Sequence, residues 1–126
     1  MDASAGLITA GRLLIVGFFI VAGGMNLTSA RIADHIERAT RFNTPFPNFV
    51  FWAGIALQFA SCALVLADWH ADVGVVGLVV FTVLASAIYH RFWQMDDPMK
   101  RNFSRLALLN NVAIVGGLLL LLAATR

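Results

Sequence analysis

Four stretches of the chain stay apolar for long enough to cross a lipid bilayer as a helix, which takes about 20 residues. They cover residues 7–27, 49–67, 73–89 and 106–124. Arg12, near the start of the first, is the only charged residue inside them. The second carries Gln58, Ser61 and Cys62, the third is almost without polar groups, and the fourth has Asn110 and Asn111 in its first turns. Only Asp68-Trp69-His70-Ala71-Asp72 separates the second from the third, so these two must form an antiparallel hairpin.

Residues 29–42 follow a different pattern. Ile32, Ile36, Ala39 and Phe42 recur at helical spacing, and Arg31, Asp34, Arg38 and Arg41 fall elsewhere. That pattern predicts a short amphipathic helix lying at the membrane surface. Pro45 and Pro47 cannot continue it, and Phe46, Phe49, Phe51 and Trp52 suit a membrane interface. A similar interfacial signal ends the third span, where Arg91, Phe92 and Trp93 read as an anchor. Asp96-Asp97-Pro98 reads as a solvated turn. The expected fold is all-α: an integral membrane bundle of four transmembrane helices, with a short interfacial helix after the first span, in one domain.

Composition agrees with this pattern. The chain is 60% hydrophobic and 13% charged, where a soluble domain has about 25% charged residues. The formal charge of +2 gives no case for nucleic acid as a partner. A single cysteine, Cys62, rules out an internal disulfide or a CxxC pair. The opening MDASAG lacks the basic region of a cleaved signal peptide, so the first apolar segment is expected to remain. Arg31, Arg38, Arg41, Arg91, Lys100, Arg101 and Arg105 lie in the first and third loops; Arg12 and Arg126 lie on the other side. This asymmetry predicts cytoplasmic first and third loops with both termini outside, in a bacterial inner membrane. Gly23-Gly24, Ala53-Gly54, Ala56 with Ala60, Gly74 with Gly77, and Gly116-Gly117 are candidates for close helix approach.

Polar side chains in hydrocarbon require partners. Asn26, Gln58, Tyr89, His90 and Asn110 all fall in the half of the membrane nearest the long loops. In a bundle they could converge on a polar pocket open to that face, with His90 at its rim. Gln58 and Asn110 could equally serve as hydrogen-bonding glue between helices. Asn111 points about 100° away from Asn110, so at most one of the two faces a shared site well. Arg12 lies toward the opposite face, where it would snorkel to the interface or meet an anionic headgroup or outer ligand.

The sequence holds little catalytic chemistry. His35, His70 and His90 have no metal-ligand spacing. No Ser-His-acid set, phosphate loop or dinucleotide loop appears. No acidic residue lies within a span, which argues against a proton pump or sodium-coupled carrier. No residue is assigned as catalytic, no metal is expected, and the chain reads as a non-enzyme on its own. A quinone suits the pocket, because it lives in the membrane and its carbonyls accept hydrogen bonds from His, Tyr, Asn or Gln.

The stretches "GRLLIVGFFIVAGGMNL" (11–27), "PFPNFVFWAGIALQFASCALVL" (45–66), "YHRFW" (89–93) and "LLNNVAIVGGLLLL" (108–121) together resemble the DoxX family of small four-helix membrane proteins. The resemblance implies a four-helix bundle and an association with redox biology, since the family takes its name from a membrane subunit of a thiosulfate:quinone oxidoreductase. Arg12, His90 and Asn110 match the family pattern. At Asn26 and Gln58 the family usually carries a basic residue and a glutamate, so this chain replaces two charges with neutral amides. The expected role is a non-catalytic accessory or anchor subunit of a membrane redox complex, holding a quinone or lipid headgroup. The alternatives are a structural subunit with no ligand beyond lipid, and an oligomeric transporter of a small solute. Expected partners are membrane lipids and either other membrane-associated subunits or further copies of the chain.

Overall fold

The computed structural model describes residues 3–125, so Arg126, counted above among the outer basic residues, lies outside the described residues, as do Met1 and Asp2 of the opening segment. The described residues form five α-helices and no strand. Four are long and apolar enough to cross a membrane: α1 (Ala3–Met25), α3 (Pro47–Ala67), α4 (Ala71–Tyr89) and α5 (Pro98–Thr125). The short α2 (Ser29–Arg41) follows α1, and a 3-10 turn at Phe92–Gln94 joins α4 to α5. The long helices pack in the cyclic order α1, α3, α4, α5, with α2 resting on α3 and α4. All four point large apolar side chains outward; Leu14 on α1 and Leu120 on α5 are 75% and 76% exposed. A contiguous coat of this kind needs lipid around it.

Each boundary has a local cause. Thr28 caps α2, its hydroxyl oxygen accepting the Arg31 N–H at 3.3 Å. Arg38 and Arg41 in the last turn favour the negative end of the helix dipole. They also pair with Asp34 and Glu37 one turn earlier, at 3.0 and 2.6 Å. Pro47 occupies the first turn of α3, where a proline costs no hydrogen bond. The α3–α4 hairpin is tighter than the apolar pattern suggests, with three linking residues. Asp68 and His70 both take left-handed backbone (φ 53° and 50°) to turn the chain within that length. Asp97 caps α5 by accepting the Met99 N–H at 3.0 Å, with Pro98 as the first helical residue.

That cap starts α5 well before the apolar pattern begins at residue 106. Hydropathy marks where a helix enters lipid, not where the helix begins. The resulting overhang, Pro98–Arg105, is about two turns and rises roughly 12 Å above the apolar segment.

The interior is divided along the bundle axis. The half at the hairpin and the termini holds the dry core: Val16 and Phe19 of α1, Cys62 and Val65 of α3, Val75 and Leu78 of α4, Leu118 and Leu121 of α5. There α3 and α4 approach most closely. A methyl group on Gly74 would stand 2.8 Å from the Ser61 carbonyl oxygen, and one on Gly77 would overlap the Ser61 hydroxyl. The proposed small-residue contacts thus divide: Gly74 and Gly77 are essential to the approach, while Gly24 and Gly116 face open space. The other half, beneath α2, contains Ser86, Tyr89, His90 and a cavity.

Candidate functional site

The cavity has a volume of about 390 Å³. Its walls are mostly apolar and aromatic, from Phe18 and Phe19 on α1, Phe51 and Gly54 on α3, and Phe81 and Ile88 on α4. Asn26, His35, Tyr89 and His90 line it near α2, and Gln58, Thr82 and Asn111 line it deeper in the bundle. An apolar enclosure with a few polar groups is the usual form of a small-molecule site.

Gln58 is 2% exposed, and its side-chain Nε2 donates to the Phe19 carbonyl of α1 at 2.7 Å. That carbonyl can only accept, so the amide orientation is fixed and Oε1 is the atom left over. Oε1 is buried and has no hydrogen-bond partner. The close fit also explains Gly23: a methyl group there would lie 2.9 Å from Gln58 Nε2 and 2.9 Å from the Phe59 ring. Tyr89, 8% exposed, leaves its hydroxyl buried and unpartnered, and His90 does the same with Nδ1. Leaving one such group unsatisfied costs about 1–3 kcal/mol. Three line this cavity.

Thr82, Ser86 and Asn111 are hydrogen-bonded within the bundle. Thr82 donates to the Leu78 carbonyl at 2.8 Å, and Ser86 donates to the Thr82 carbonyl at 2.7 Å. Asn111 Nδ2 then donates to Ser86 Oγ at 2.9 Å, tying α5 to α4. Asn110, expected to converge with Gln58 and His90, is instead exposed on the outer face of α5. The 100° step between neighbours on a helix turns Asn111 inward and Asn110 out. Arg12 also stands apart: its Nη1 lies 3.3 Å from Asp68 Oδ1 at the hairpin end, remote from the cavity. The bundle therefore brings together Asn26, Gln58, Tyr89 and His90, and leaves Asn110 and Arg12 outside.

Helix α2 roofs the cavity. Its apolar face turns Ala39 and Phe42 into the protein, and Ile32 and Ile36 are half-buried. Arg38 Nη1 donates to the Tyr89 carbonyl at 3.4 Å, and Arg91 Nη1 donates to the Phe42 carbonyl at 3.5 Å. The Arg91 guanidinium also sits 5.8 Å from the centre of the Phe42 ring. So Arg91 pins the roof as well as ending the third span, while Trp93 is left 54% exposed, as an interfacial anchor would be.

His35 was not singled out by the polar pattern of the spans, yet it points from the roof into the cavity. The signal was present: it falls three residues after Ile32, on the apolar face of α2. Its ring lies edge-on to Tyr89 at 5.0 Å and tilted to Phe51 at 5.6 Å. Nδ1 lies 2.8 Å from the Arg31 carbonyl oxygen, so Nδ1 carries the proton and donates. Burial lowers the His35 pKa below its usual 6.5, with Arg38 and Arg31 lowering it further and the Arg31 hydrogen bond and Asp34 opposing. The fold thus favours neutral His35. Its contribution to stability is complete above about pH 6.5 and is lost as pH falls below that, because the unfolded chain takes up the proton first. Thermal melting at pH 7.5, 6 and 5 is expected to show a falling midpoint, with a shallower slope in His35→Leu. Equal slopes would remove His35 as the cause.

Among the described residues no group of His, Cys, Asp or Glu side chains is arranged to hold a metal ion. A second, shallower apolar groove of about 410 Å³ lies between α4 and α5, lined by Val83, Trp93 and Val112 among others. It contains none of the three unpartnered atoms.

These features define a small helical membrane protein whose bundle is solid at one end and hollow, with polar groups, at the other. The DoxX family model matches residues 7–91, and the chain belongs to the DoxX family. The match runs from α1 through His90 and Arg91; the "LLNNVAIVGGLLLL" stretch of α5 lies beyond it. No curated protein and no solved structure matches the chain.

Proposed function

We propose that the protein is a non-catalytic membrane subunit that holds a quinone-type ring ligand in the cavity beneath α2, as an accessory to a redox partner. The observation that carries this reading is the clustering of three buried, unpartnered polar atoms, Gln58 Oε1, Tyr89 Oη and His90 Nδ1, around one largely apolar cavity. Among the described residues three of the five buried, unpartnered polar side-chain atoms belong to residues lining this one cavity, Arg12 Nε and Thr44 Oγ1 being the others, and such a cluster suggests a ligand that completes it. A ring with two oxygens and an apolar tail matches the lining: polar contacts at the roof, aromatic walls below, and an exit toward lipid. A substituted benzoquinone headgroup is of a size suited to 390 Å³. When bound, such a group supplies two-electron redox chemistry; the chain's own residues bind it, orient it and shield it from water. The basic residues of the first and third loops, Arg31, Arg41, Lys100 and Arg101, form the face where a partner at the cytoplasmic side would dock.

Tyr89→Phe tests the reading. It removes only the unpartnered hydroxyl, so the folded protein is expected to be as stable as the parent or slightly more so. Its affinity for a decyl benzoquinone, titrated against the protein in lipid nanodiscs, is expected to fall about tenfold. His90→Ala is expected to weaken binding similarly. No saturable binding to the parent protein would overturn the reading and return the chain to a structural role.

A further inference from the structure

The unpartnered atoms of the cavity are not chemically equivalent. Tyr89 Oη can donate or accept, and neutral His90 Nδ1 can do either, depending on its tautomer. Gln58 Oε1 can only accept. It cannot exchange places with its own nitrogen, because Nε2 is committed to the Phe19 carbonyl at 2.7 Å. The amide lies close against Gly23, where an added methyl group would stand 2.9 Å from Nε2. Gln58 is 2% exposed, so bulk water does not satisfy Oε1. Whatever meets Oε1 must therefore bring a hydrogen.

The oxidised ring ligand has none to give at its oxygens. Its two carbonyls are acceptors, and one of them facing Gln58 Oε1 would set two partial negative charges against each other in a medium of low dielectric. The reduced ring has two hydroxyls. One can donate to Gln58 Oε1 while the other pairs with Tyr89 Oη or His90 Nδ1, each of which adapts to a donor or an acceptor. We infer that the cavity prefers the dihydroxy form of its ring ligand to the dione, and that Gln58 is the residue that discriminates. This rests on the ligand reading above and adds a direction to it. Sites with a committed buried hydrogen-bonding group discriminate strongly against analogues lacking the complement. A protein of this kind holds the reduced ligand and releases the oxidised one.

The test is equilibrium binding of a decyl benzoquinol and the matching decyl benzoquinone to the full chain in nanodiscs, under anaerobic conditions. The quinol is expected to bind at least about tenfold more tightly, which raises the midpoint potential of the bound couple by about 30 mV. Gln58→Met, close in length and without the acceptor, is expected to lose the preference while retaining the dione. A ligand-side control does not depend on how that variant folds: the dimethyl ether of the quinol, with both hydrogens capped, is expected to bind the parent no better than the dione. Equal binding of quinol and quinone would overturn the preference and leave the ligand reading standing. Failure of both to bind would overturn the ligand reading itself.

Discussion

Gly74→Leu is expected to lower the thermal midpoint sharply and to reduce the yield of monodisperse protein in detergent. Even a single added carbon would stand 2.8 Å from the Ser61 carbonyl oxygen, 2.9 Å from Val65 Cγ2 and 3.0 Å from Leu64 Cβ. The first of these is backbone and cannot rotate away. Overpacking a close-packed interior costs about 1–3 kcal/mol, and a branched side chain against a carbonyl belongs at or above the top of that range. The alternative is to separate α3 from α4, which would strip contacts from Val65, Val75 and Leu78 together. Gly116→Ala is the control. Nothing lies within 4 Å of a methyl group there, and alanine is the better helix former by about 1 kcal/mol. It should melt at or above the parent midpoint. Parent-like melting of Gly74→Leu would mean that the α3–α4 contact is not as close as described.

Ala85→Trp is expected to abolish ligand binding, by at least about a hundredfold, without unfolding the protein. Ala85 lines the cavity from α4, beside Phe81 and Ile88. An indole placed there occupies the volume the ligand ring needs and meets mainly aromatic and aliphatic walls. Filling an apolar hollow usually leaves stability unchanged or raises it. This separates the effect from that of Gly74→Leu, where the fold itself fails. The check is nanodisc binding alongside a melting curve. A folded Ala85→Trp protein with parent-like affinity would place the ligand elsewhere, for instance in the groove between α4 and α5.

The fold was legible in the sequence because hydrocarbon is a demanding solvent. Residues 7–27, 49–67, 73–89 and 106–124 could be recognised as spans from length and apolarity alone, and Ile32, Ile36, Ala39 and Phe42 marked α2 by spacing. Hydropathy could not show that α5 begins at Pro98, since that boundary is set by the Asp97 cap and not by lipid. The site was legible by depth but not by direction. Asn26, Tyr89 and His90 lie at helix ends near α2, Gln58 lies about two turns deeper against Phe19, and all four line one cavity. Asn110 also falls in the half nearest the long loops, but faces outward, and which of two neighbouring asparagines points inward depends on helix rotation that the sequence alone does not define. Arg12 was correctly set apart by depth, yet its partner Asp68 sits in a turn whose left-handed backbone no apolar pattern reveals. His35 was hidden for another reason: it belongs to the surface helix, and only the docking of α2 onto α3 and α4 carries it into the interior.

The division of the bundle into a solid half and a hollow half gives it the shape of tweezers. Gly74 and Gly77 interlock α3 with α4 at one end, where Arg12 and Asp68 also join α1 to the turn. At the other end the cavity lies between the arms, which are joined by the Gln58–Phe19 and Asn111–Ser86 bonds and by α2. Rigid helices that cannot slide at the closed end can still splay at the open one. Over about 20 Å of helix, a tilt of about 5° moves the tips by roughly 2 Å. The handle is thus the dry core, and a small change of angle there would be amplified at the α2 end, where Tyr89 and His90 lie.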